Sequence, residues 1–104
     1  MKTTQEIDKQ IELAKVLLKH MPEKSVFGDD NHLCLRRQIK ALEICKISSK
    51  EEIKRRLQGE IRHCDDFGED TYNNPMIGVY DWCLGNVTDE PNSEEDARIW
   101  SSKK

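Results

Sequence analysis

Asn74-Pro75-Met76-Ile77-Gly78-Val79-Tyr80-Asp81-Trp82-Cys83-Leu84-Gly85 is the stretch on which the fold turns. Its interior is apolar nearly all round, and its β-branched and aromatic residues would suit a strand as well as a helix. The two ends decide between them. Asn-Pro reads as an N-cap followed by proline at the first helical position, and Gly85 reads as a left-handed stop. The segment between them is therefore expected to be a short buried helix.

Working back from this segment, three longer helical patterns appear. Thr3 and Glu6 have the spacing of a capping box. Beyond them Ile7, Ile11, Ala14, Leu18 and Met21 fall on one helical face, with Leu17 on its flank. Pro22 disfavours helical geometry at the residue before it, so the helix should stop near His20. Gly28-Asp29-Asp30-Asn31 reads as a turn rich in N-cap residues. A second helix follows from about His32 to Lys46, with Leu35, Ile39 and Leu42 inward and Cys34, Ala41 and Cys45 along one edge. Arg36, Arg37 and Lys40 point the other way.

Ser48 with Glu51, or Ser49 with Glu52, caps a third helix from about Lys50 to Cys64. Its stripe is Ile53, Leu57, Ile61 and Cys64, with Lys54, Arg55 and Arg62 outside it. Glu60 projects onto the apolar face. It should lie at a helix–helix seam and bond to an arginine, a lysine or backbone donors, because an unpaired buried carboxylate is costly. Asp65 to Asn74 reads as an acidic loop. Ser93 and the acids after it cap a last short helical turn carrying Ile99 and Trp100, and Ser101 to Lys104 should fray.

The expected fold is all-α: a small bundle of three amphipathic helices closed by a short buried fourth helix and a C-terminal helical turn. The 104 residues suit a single domain. Met76, Val79, Tyr80, Cys83 and Leu84 should form the keystone of its core.

Charge is unevenly spread. Residues 1–32, 33–64 and 65–104 carry −1, +5 and −7, which together give the net charge of −3. With no apolar membrane run and no signal-like apolar segment after Met1, the expectation is a cytoplasmic protein with no membrane partner. The four cysteines are then expected as reduced thiols. The short C-terminal segment is too small to screen both basic helices, so separate basic and acidic patches are expected.

His32, Cys34, Cys45, His63, Cys64 and Cys83 are zinc-ligand types, but their pairs lack knuckle spacing, and the cysteines fall on or beside apolar faces. The acidic loop fails the calcium-loop pattern: counting from Asp65, glycine is fourth and the twelfth residue is Met76. Glu51, Glu52, Glu60, Asp65 and Asp66 supply the residue type of a metal-dependent phosphohydrolase without its spacing. Ala41 to Leu57 has the outline of a helix-turn-helix, yet with Ile47 at the turn the first anchor falls on Glu52 rather than on Ile53.

The leading expectation is thus a small non-enzymatic protein-interaction or regulatory module without cofactor or metal, of the kind found as bacterial or phage accessory proteins. Its partner is another protein, with self-association open. The alternative is a nucleic-acid-binding regulator using residues 36–62, and a metal-dependent phosphohydrolase stands third. The candidate interaction residues are Arg36, Arg37, Lys40, Lys50, Lys54, Arg55, Arg62, Trp82 and Trp100. An exposed tryptophan would mark an interface, while a buried one would serve the core.

Overall fold

A computed structural model describes residues 1–26, 28, 30–68 and 74–102. The described residues form five helices and no strand: α1 (Thr4–His20), α2 (Asn31–Ile47), α3 (Lys50–Phe67), α4 (Pro75–Leu84) and α5 (Glu94–Ser102).

The deciding segment is a helix for the reasons its ends supply. Asn74 Oδ1 accepts from the Met76 N–H at 3.0 Å, Pro75 occupies the first turn, and Gly85 closes the helix at φ 83°. Elsewhere too the caps follow the sequence. Thr3 and Glu6 form the reciprocal box. Of the two serine candidates Ser49 caps α3 with Glu52. Ser48 instead donates to the Ile44 carbonyl at the end of α2, at 2.6 Å.

Three boundaries differ from expectation. The cap of α2 is Asp30, which accepts from the Leu33 N–H at 2.9 Å, so the helix begins at Asn31; Asp29 lies outside the described residues. α3 continues through Asp65, Asp66 and Phe67 to Gly68, whose N–H still bonds to the Cys64 carbonyl and whose left-handed φ of 67° ends the helix. The rest of the expected acidic loop, 69–73, lies outside the described residues. The last turn is a nine-residue helix. Ser101 and Ser102 belong to it, their hydroxyls donating to the Arg98 and Ile99 carbonyls, while Lys103 and Lys104 are not described.

Ion pairs and hydrogen bonds give the helix directions. Lys46 pairs with Asp8 at 2.7 Å, and His32 Nε2 lies 2.9 Å from the Met21 carbonyl, so α1 and α2 are antiparallel. Asn74 meets Glu60 and Cys64, so α4 starts where α3 ends and runs back along it. The order across the molecule is α5, α1, α2, α4, α3, each packing on the next, while α2 and α3 barely touch. The body measures 42 × 34 × 20 Å, about two helix diameters in its thin direction.

The main core joins Ile7 and Ile11 of α1, Ala41, Leu42 and Cys45 of α2, Ile53 of α3, and Val79, Tyr80, Trp82 and Cys83 of α4. A smaller cluster of Ala14, Leu17, Leu35 and Ala97 holds α5. The short fourth helix is thus central to the fold. Ile77 and Trp82 are buried with it, whereas Met76 and Leu84 are half-buried at its edges. On α1 the inner face turns toward Leu17, leaving Leu18 on the flank, because α5 covers that side. Ile61 is 38% exposed, since among the described residues α3 packs extensively on α4 alone.

Trp82 corrects its place among the interaction candidates: it is only 2% exposed. The N-terminus crosses over the side of α4 that sequence leaves open. Lys2 N–H donates to the Cys83 carbonyl at 2.9 Å, and its ammonium sits 5.3 Å from the centre of the Trp82 ring.

Glu60 lies at the α3–α4 seam, but its partner differs from expectation. Asn74 Nδ2 donates to Glu60 Oε2 at 3.0 Å, so the cap residue of α4 also binds α3. Glu60→Ala should cost about 1–2 kcal/mol, as expected for a half-buried hydrogen bond to a carboxylate. Chemical denaturation checks this, and a change within error would show that the seam does not depend on the contact.

Candidate functional site

The candidate site grows from the side of α4 that its neighbours leave uncovered. Val79, Tyr80 and Cys83 belong to the main core, and Met76 packs against it. Ile77, Gly78 and Asp81 remain on the open side, where the chain after Gly85 returns as residues 87–91. Between this return and α4 lies a groove of about 490 Å³. Its apolar lining includes Pro75, Ile77 and Val87, and its carboxylates are Asp81, Asp89 and Glu90. Val87 is 41% exposed. A Cβ added at Gly78 would meet nothing within 4 Å, so no packing demand explains a glycine in mid-helix, where it costs about 0.5–1 kcal/mol relative to alanine.

The return segment is held firmly. Gln10 is buried, and its Nε2 donates to the Asn92 carbonyl at 3.0 Å and to Glu90 Oε2 at 3.3 Å. Its Oε1 accepts from the Asn92 N–H at 2.9 Å. Asn92 Nδ2 in turn donates to Gln38 Oε1 of α2 at 2.9 Å. One wall of the groove is therefore fixed to both α1 and α2.

A second groove, of about 250 Å³, opens where α3 runs along the end of α4. Lys50 and Lys54, one turn apart, stand beside Leu57, Leu84 and Asn86. Asn86 Nδ2 donates to Asp81 Oδ1 at 3.2 Å, so the turn after α4 links the acidic groove to the basic one.

The other basic candidates are spread out. Arg36, Arg37 and Lys40 are exposed on α2, and Arg55 and Arg62 are exposed on α3. Arg55 projects about 100° round the helix from Lys54, so Lys50, Lys54 and Arg55 do not form one convex face. The ion pairs among the described residues use none of the seven candidate cations. Among the acids of the C-terminal block, Glu94 pairs with Lys9 of α1. This contact holds the Glu94 carboxyl below its usual range and Lys9 above its own. Acidic α5 packs chiefly on α1, and the basic candidates of α2 and α3 stay exposed.

The zinc-ligand types are scattered. His63 stacks on Phe67, with ring centres 4.7 Å apart, and Cys64 receives a long hydrogen bond of 3.7 Å from Asn74. Cys34 is exposed, contrary to its expected place at the apolar edge; it lines a cleft with Leu17, Met21 and the half-buried Trp100. Cys45 and Cys83 do meet in the core. A hydrogen bond from Cys83 lowers Cys45 below the ordinary thiol range, with burial opposing and Arg56 assisting. The same hydrogen bond and burial push Cys83 far up. Burial chiefly raises the neighbouring Tyr80. Among the described residues, no three His, Cys, Asp or Glu side chains gather to hold a metal ion, and no helix is long and apolar enough to cross a membrane.

No family model matches the chain, and comparison with curated proteins and with solved structures finds no similar one.

Proposed function

We propose that this chain is a non-enzymatic protein-interaction module that receives a protein partner on the open face of α4. The observation that carries this reading is the groove between α4 and residues 87–91. Its apolar floor offers area to a partner side chain, and its carboxylates select charge and fix register. Its walls are preorganised by the Gln10–Asn92–Gln38 bonds, so little ordering entropy is lost when the groove fills.

The basic surface supports nucleic-acid binding less well. A groove reader needs its cations on one element presented to the duplex, and here they are divided between two helices that barely touch. The overall charge of −3 also weakens any binding driven by counterion release from phosphates.

The test is recovery of the tagged full chain from its native cells, with mass spectrometry of bound protein and nucleic acid. Wild type should retain a protein partner. Val87→Asp with Asp89→Lys should lower its yield by about tenfold or more, the scale of 1.4 kcal/mol, while circular dichroism stays unchanged. Recovery of nucleic acid instead, lost on replacing Lys54 and Arg55, would overturn the reading.

A further inference from the structure

We infer that the partner on the open face of α4 is a second copy of this chain, joined about a two-fold axis near Asn86. This rests on the interaction reading above and names the occupant of that same face. The acidic groove, with Asp81, Asp89 and Glu90, and the basic one, with Lys50 and Lys54, open on either side of the turn that ends α4. The Asp81–Asn86 hydrogen bond marks where they adjoin.

Two adjoining patches of opposite sign are self-complementary under a two-fold rotation. A second copy placed face to face sets its lysines over the carboxylates of the first, and its own carboxylates over the lysines of the first. Each contact is then made twice, as in an isologous interface. A foreign basic segment would satisfy only the acidic groove, and an acidic one only the lysines. A second copy satisfies both.

The apolar residues fit the same arrangement. Val87 lies at the acidic groove, and Leu57 and Leu84 line the basic one. Ile61 follows Leu57 by one turn on the same flank of α3 and is exposed. Apolar side chains beside charged ones are the makings of a core with a polar rim.

The experiment is sedimentation equilibrium of the full chain over a concentration series at low and high salt. Wild type should form dimers that weaken as salt rises, because the exposed charges are screened over about 8 Å at physiological ionic strength. Lys50→Glu with Lys54→Glu makes both grooves acidic, and Asp89→Lys with Glu90→Lys makes both basic. Each variant should dimerise more than about 100-fold less well, since facing like charges cost several kcal/mol. An equimolar mixture of the two should recover association as a heterodimer. A chain carrying all four changes should recover the homodimer.

Rescue in the mixture cannot come from misfolding, so a reversal variant that merely unfolds would not imitate the result. A wild-type chain that stays monomeric to millimolar concentration overturns the self-association. The interaction reading still stands in that event if Val87→Asp with Asp89→Lys releases a different protein in the recovery experiment. A dimer insensitive to every charge reversal places the contact elsewhere and overturns the two-fold arrangement.

Discussion

Trp82→Ala should destabilise the fold by about 3–5 kcal/mol, the range for removing a buried large aromatic side chain. That is a large part of the 5–15 kcal/mol available to a typical domain. At about 4–8 °C per kcal/mol for a domain near this size, the melting temperature should fall by roughly 15 °C or more. The indole is 2% exposed and belongs to the main core, and its loss also removes the surface on which Lys2 rests. Trp82→Phe should recover much of the loss, because most of the apolar volume returns. Thermal denaturation followed by circular dichroism measures both. If Trp82→Ala melts within a few degrees of wild type, Trp82 does not occupy the core as described.

The second large effect is expected at Gln10. Gln10→Met keeps the length of the side chain but removes the acceptor for the Asn92 N–H and the donor to its carbonyl. Asn92 is buried, so each stranded backbone group costs about 1–3 kcal/mol, and the variant should lose about 2–5 kcal/mol. The damage should be local first. Residues 87–92 and α5 would loosen from α1, and hydrogen exchange in α5 should quicken before the rest of the molecule responds. Uniform exchange across all helices would show instead that α5 opens only with global unfolding.

These two sites show what the sequence carried and what it did not. The deciding segment was legible because its evidence is local: Asn74, Pro75 and Gly85 act through their own backbone. The cap at Thr3 has the same origin, whereas the choice between Ser48 and Ser49 came only with the fold, where Ser48 closes α2 and Ser49 caps α3. Trp82 was not legible as core, because its cover comes from Lys2, far away in the chain. Gln10 was missed for a related reason. A polar residue on an apolar face has no evident partner until residue 92 is folded against it.

Periodicity placed Ile61 in the third stripe, yet α4 leaves it 38% exposed. A helical stripe records what a helix can bury, and only the tertiary arrangement determines how much of it is covered. The basic residues were found by charge alone. Their division into Lys50 and Lys54 beside a groove and five outward-facing arginines and lysines required the path of α4. The carboxylates at 81, 89 and 90 were legible only as part of an acidic block, since the groove that unites them is made by the turn at Gly85.

The serial order of the helices has a consequence for the way the molecule loosens. α3 and α5 are the outer members of the row, each with extensive packing on a single neighbour, while α1, α2 and α4 lie between others. Opening free energies within a protein follow such differences in burial. α3 occupies the middle of the sequence, from Lys50 to Phe67, but it is an edge of the solid body. Met1 and its neighbours begin the sequence, but Lys2 is fastened to the carbonyl of Cys83, a member of the main core. Fraying here is therefore governed by position in the stack and not by distance from a terminus. A mid-chain helix can peel away while the first residues of the protein stay in place.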